Sequence, residues 1–177
     1  MPHIAVPEGV PGILSLFQFD PEASRALNAL AQVVLRRPST LSTGEREMIA
    51  AYVSTLNGCR FCAGTHAAAA RQLLGGAAAQ VDAVLDDPGT APVTPKMRAL
   101  LAVAARIQRG GRDEGGEEMD AARAAGATDQ EIHDAVLIAA AFCMYNRYVD
   151  GLATLIPAPA AFVGIGARLA SSGYSAG

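Results

Sequence analysis

The sequence predicts an all-α fold in one domain, and three observations carry that reading. Thirty-seven of 177 residues are alanine, tryptophan is absent and aromatics make up only 5%, which suits closely packed helices better than a sheet wanting β-branched and aromatic side chains. Apolar residues recur at helical spacing in most segments. Finally, two Ser/Thr-x-x-Glu capping boxes, Ser42 to Glu45 and Thr128 to Glu131, each open a long apolar stretch. A chain of this length with 51% hydrophobic residues can bury a sizeable core.

Taken in order, residues 1–20 are rich in proline and glycine and read as an extended N-terminal arm. Its Ile13, Leu14, Leu16, Phe17 and Phe19 are expected to lie on the surface of the domain or of a neighbouring subunit. The helical domain follows over 21–177. Pro21 fits the first turn of a helix running to about Arg37, which Pro38 stops. The first capping box opens a helix that carries Met48, Ile49, Tyr52, Val53 and Leu56 inward and ends near Asn57-Gly58. A further helix begins around Cys59 and ends at Gly75-Gly76, with a short segment from Ala77 to Leu85 behind it.

Asp86-Asp87-Pro88-Gly89 is a turn, and a helix from Thr94-Pro95 reaches about Arg109. Four glycines within 110–116 predict a mobile loop before a short helix, Glu117 to Ala125. The second capping box opens a helix to about Asp150, and a last one spans roughly Ala160 to Ala170. The expectation is seven or eight helices.

Several function classes are disfavoured. The net charge is −3 and the basic residues are scattered, so nucleic acid is not an expected partner; the pair Arg36-Arg37 reads as a helix end. The longest apolar run, Ala135 to Tyr145, has eleven residues, short of the roughly 20 that cross a bilayer, so no membrane association is expected. No basic region followed by an apolar stretch marks the N-terminus, and a cytoplasmic location is expected. In that reducing setting a close cysteine pair suggests metal binding or redox catalysis rather than a structural staple.

That pair lies in a core segment, 41–75. Cys59, Cys62 and His66 fall one helical turn apart, within an arc of roughly 60°. The start of a helix and a nearby imidazole both favour a thiolate, so acidic thiols are expected. Glu45 has a structural task in the capping box. Glu47 points about 200° away from it and is the free carboxylate, placed to orient His66 if the two helices fold back on each other.

Bland readings compete. Small thiols and a histidine also fill buried stripes. Zinc on Cys59, Cys62, His66 and Glu47 is conceivable, but structural zinc sites usually bring a second Cys or His pair at short spacing, and none is present. Covalent haem needs a histidine directly after the second cysteine, where Ala63 stands. Cys143 reads as core filler, Tyr52 as core, and His3 and His133 as unlikely ligands. Asn146 and Arg147 interrupt a buried helix with polar groups, which either join subunits or fix a loop near the site.

The pattern of Glu47, eleven residues, Cys59-x-x-Cys62, three residues and His66 resembles the active-site signature of the alkylhydroperoxidase D-like proteins, within the carboxymuconolactone decarboxylase superfamily. The likeness extends to Pro21, Leu41-Ser42, Glu45-Arg46, Val53-Ser54, Leu56-Asn57-Gly58, Asn146-Arg147, Asp150-Gly151 and Gly173-Tyr174, and is greatest to the peroxidase-related subgroup. The resemblance implies a compact helical bundle, a homo-oligomer, and thiol-dependent reduction of organic hydroperoxides or hydrogen peroxide without metal, haem or other cofactor.

Carried over by position, Cys62 attacks the peroxide, Cys59 resolves the sulfenic acid, and Glu47 with His66 relays protons. A dithiol or protein reductant of unspecified identity restores the thiols. Phe61 stands where the best-studied members have a histidine. A disulfide reductase or adaptor, a helical redox sensor, and a zinc-binding module are the alternatives.

Overall fold

The computed structural model describes residues 1–110 and 116–174, and these contain nine α-helices in the order α1 (Ile13–Phe19), α2 (Pro21–Arg36), α3 (Thr43–Leu56), α4 (Arg60–Leu74), α5 (Ala79–Asp86), α6 (Pro95–Arg109), α7 (Glu117–Ala124), α8 (Asp129–Gly151) and α9 (Ala161–Ser172). A single 3-10 turn, Gly75–Ala77, joins α4 to α5. Among the described residues there is no strand, and no helix is long and apolar enough to cross a membrane. The glycine-rich loop expected to be mobile lies, at 111–115, outside the described residues.

The helix count exceeds the sequence expectation by one, because residues 13–19 form α1 rather than part of an extended arm. The Ser15 hydroxyl donates to the Gly12 carbonyl at 2.8 Å, and Leu16 is completely buried. A seven-residue helix has too little propensity to stand alone. Packing of Leu16 into the core supplies what the local sequence lacks, while Phe19 stays 57% exposed.

The other helix starts have local causes. The Asp20 side chain accepts from the Glu22 and Ala23 amides ahead of Pro21, Thr94 accepts from the Met97 amide ahead of Pro95, and both capping boxes are complete. Glu131 is nonetheless buried, because besides capping α8 it meets Lys96 Nζ at 2.7 Å and the Thr40 hydroxyl at 3.0 Å.

Helix α3 is the central element: ten of its residues, Gly44 and Arg46 through Ser54, are buried. It packs against α4 on one side and α8 and α6 on others, while α9 covers α4. The crossing of α9 over α4 depends on small residues. A Cβ placed on Gly166 would lie 2.6 Å from the backbone carbonyl carbon of Ala68, and Ala67 through Ala70 present only methyl groups. Close approach of α9 brings the end of the chain toward α2. Gly173 adopts φ of 65°, its N–H donates to the Leu169 carbonyl, and the Tyr174 amide then donates to Gln32 Oε1 at 2.9 Å.

Candidate functional site

Cys59 is the N-cap of α4, with extended backbone, and Cys62 lies in the first helical turn. Their position is fixed by the α3–α4 turn: the Cys59 amide donates to the Ser54 carbonyl at 3.0 Å, and the Ser54 hydroxyl accepts from Asn146 Nδ2 at 3.1 Å. Asn146 Oδ1 in turn accepts from Asn57 Nδ2 at 2.8 Å. Asn146 therefore braces the turn that presents the cysteines. Arg147, expected inside a buried helix, is instead exposed and folds back onto the Cys143 carbonyl.

Both cysteines are free thiols, and their surroundings differ. Cys59 is completely buried, clustered with Phe61, Cys62 and Val149. Its pKa is raised far above the ordinary thiol value, first by a hydrogen bond with Cys62, then by burial and by the charge on Cys62. The expectation of two acidic thiols thus fails for Cys59: it offers no capping hydrogen bond at the helix start, and the hydrogen bond with Cys62 together with burial outweighs the helix terminus. Cys62 lines a cavity of about 70 Å³, room for a few water-sized groups.

The same cavity is lined by His66 and Tyr174, with Ile13, Leu14, Phe17, Leu27, Ile165 and Leu169 among its apolar walls. His66 sits edge-on to Phe142, with ring centres 4.5 Å apart, and lies nearly parallel to the Tyr174 ring at 6.1 Å. Its Nδ1 meets Glu47 Oε2 at 2.7 Å. The antiparallel packing of α3 on α4 makes this contact, as the sequence anticipates for a carboxylate with no local partner.

Glu47 is completely buried. Burial alone would raise its pKa, but charge and hydrogen bonding from His66, the Arg36 guanidinium and the Tyr174 hydroxyl together hold it below the ordinary carboxylate value. An ionised Glu47 accepts from His66 Nδ1–H, which fixes the ring and turns Nε2 away from the carboxylate. Nε2 has no hydrogen-bond partner among the described residues.

Two members of this constellation escape sequence reasoning. Arg36, read only as a helix end, places its guanidinium 2.6 Å from Glu47 Oε1 and donates to the Leu169 carbonyl at 3.0 Å. Tyr174, noted only as the end of a family likeness, donates its hydroxyl to Glu47 Oε1 at 2.7 Å, and the Arg36 guanidinium lies 5.0 Å from its ring centre. Burial and the Glu47 charge push the Tyr174 phenol well above its ordinary pKa, so it remains a donor. Their only sequence signal is a buried carboxylate's need for more than one partner.

The remaining candidates resolve more simply. Tyr52 belongs to the core, and Cys143 is half-buried against it with Asn57 Nδ2 at 3.6 Å from its sulfur. His3 and His133 are exposed. Phe61 is buried and packs against Phe162 with ring centres 6.3 Å apart. Among the described residues no three His, Cys, Asp or Glu side chains are grouped so as to hold a metal ion.

Comparison with known proteins places the fold in a family. The carboxymuconolactone decarboxylase family model matches residues 21–106. An uncharacterized peroxidase-related protein from Silicibacter sp. TM1040 is 30% identical, covers 88% of this chain and 80% of its own, and superposes with a TM-score of 0.77. An alkylhydroperoxidase core structure, an uncharacterized peroxidase-related protein from Ralstonia eutropha JMP134, is 26% identical over 89% of this chain and 81% of its own, with a TM-score of 0.78. A protein of unknown function from Agrobacterium tumefaciens, at 24% identity, a TM-score of 0.70 and coverage of 83% and 99%, shares the fold. No functionally curated protein matches. By fold, matched segment and related structures, the chain belongs to the alkylhydroperoxidase D-like proteins of the carboxymuconolactone decarboxylase superfamily.

Proposed function

We propose that this protein is a thiol peroxidase that reduces organic hydroperoxides, or hydrogen peroxide, through a Cys62/Cys59 dithiol–disulfide cycle. One observation carries the reading: Cys62 and His66 line one cavity, and His66 is held by a buried, ionised Glu47 at 2.7 Å. A nucleophile, an oriented base and an enclosed place for a small oxidant are thus adjacent.

In the first step the Cys62 proton passes to His66, and the sulfur attacks the terminal oxygen of the hydroperoxide. The O–O bond breaks, the alkoxide leaves and takes the proton, and Cys62 becomes a sulfenic acid; sulfur is oxidised by two electrons and the peroxide reduced by two. In the second step Cys59 attacks the sulfenic sulfur, water leaves and a disulfide forms. Cys59 gives up its proton to the departing hydroxyl, which leaves as water. An external dithiol then restores both thiols. The relatives described as peroxidase-related support the same class of chemistry.

Steady-state consumption of cumene hydroperoxide with dithiothreitol as reductant tests this. Turnover that disappears in Cys62→Ser is the expected result; turnover unaffected by that substitution, or none in the wild type, overturns it.

A further inference from the structure

Thr65 lines the cavity beside Cys62 and His66, is only 4% exposed, and its hydroxyl has no hydrogen-bond partner among the described residues. That is unusual for its setting. A buried hydroxyl on a helix commonly bonds the carbonyl one turn back, and two neighbours on α3 do so: Ser54 donates to the Ala50 carbonyl at 2.8 Å and Thr55 to that of Ala51 at 3.0 Å. Leaving a buried hydroxyl unsatisfied is costly. Valine, of the same shape, would avoid that cost.

We propose that Thr65 is a substrate-binding residue, whose hydroxyl bonds the O–O group of a hydroperoxide held against the Cys62 sulfur while the apolar walls take the organic part. The proposal rests on the thiol-peroxidase reading and deepens it. Thr65 follows Cys62 by three positions on α4, so both side chains rise on the same face of the helix. A threonine hydroxyl both donates and accepts, which matches the two oxygens of a hydroperoxide. Donation to the inner oxygen gains strength as that oxygen becomes an alkoxide, so the bond lowers the barrier to O–O cleavage as well as aligning the attack. Leu27, Leu169, Ile13 and Ile165 among the walls suit an alkyl or aryl substituent.

The test compares wild type, Thr65→Val and Thr65→Ser in single-turnover oxidation of the reduced protein by cumene hydroperoxide, alongside alkylation of Cys62 by iodoacetamide across pH. Alkylation reads the sulfur and its environment without needing a peroxide contact. Thr65→Val is expected to slow oxidation about tenfold, Thr65→Ser to restore most of it, and neither to move the alkylation rate or its pH profile. Wild-type oxidation in Thr65→Val overturns the role of Thr65 and leaves the enzyme reading standing. Oxidation and alkylation slowed in parallel also overturn it, because the effect then lies in the sulfur. A wild type whose Cys62 alkylates normally yet ignores the peroxide sinks the enzyme reading itself, and Thr65 with it.

Discussion

The Tyr174 hydroxyl donates to Glu47 Oε1 at 2.7 Å, so a residue beyond the last helix closes a network begun on α3. Glu47 thereby has both oxygens engaged, Oε1 by Arg36 and Tyr174 and Oε2 by His66. A carboxylate held this way stays ionised and fixes the ring nitrogen it faces, which is what a base at Cys62 requires.

Tyr174→Phe removes one hydrogen bond to a buried charge while keeping the ring against His66. Thermal or chemical denaturation is expected to show a loss of about 1.5–3 kcal/mol, and the pH profile of peroxide reduction is expected to shift as the remaining partners of Glu47 readjust. An unaltered profile together with unaltered stability would remove Tyr174 from the network.

Glu47→Gln tests the same carboxylate through linkage. The folded pKa of Glu47 lies below the unfolded one, so its stabilising contribution is complete above the ordinary value of 4.5 and is lost as pH falls toward the folded value. The stability gap between wild type and Glu47→Gln is therefore expected to narrow on acidification below about 4.5. Denaturant titrations over a pH series check this; a gap that stays constant contradicts it. Glu131 and Asp134, whose pKa values are also lowered, are present in both proteins and cancel in the difference.

Asn146→Ala severs Asn57 and Ser54 from their common partner at the turn before Cys59. A destabilisation of about 1–3 kcal/mol is expected from the polar groups left unpaired, with a slower resolving step because the position of Cys59 is no longer braced. Native stability and normal disulfide formation would show that the turn holds itself.

Gly166→Val probes the seat of α9. The new side chain meets Ala68 backbone rather than a flexible side chain, so α9 must move off α4. A loss of about 1–3 kcal/mol is expected, together with impaired peroxide reduction as Tyr174 is drawn away from Glu47. Unchanged melting and activity would contradict the close crossing.

Much of this architecture was legible locally, and its gaps have a physical pattern. Capping boxes at Ser42 and Thr128, and prolines at 21 and 95, mark helix starts because the signal and the structure lie within four residues of each other. Glu47 and His66 were legible as partners because one carboxylate had no local task. Helix α1 was not, since it forms only where Leu16 finds the core. Arg36 joins Glu47 from the preceding helix and Tyr174 from near the other end of the chain, both by tertiary approach that no helical spacing encodes. The raised pKa of Cys59 comes from its hydrogen bond with Cys62 and then from burial, which spacing at a helix start does not reveal.

The most direct measurement is peptide mapping by mass spectrometry after one equivalent of cumene hydroperoxide is added to the reduced protein and to Cys59→Ser. The account predicts a Cys59–Cys62 disulfide in the wild type, a trapped sulfenic acid at Cys62 in Cys59→Ser, and Cys143 unmodified in both. A sulfenic acid on Cys59 when Cys62 is replaced, at the rate Cys62 shows, would contradict the assigned order, and three intact thiols after exposure would contradict the peroxidase chemistry altogether.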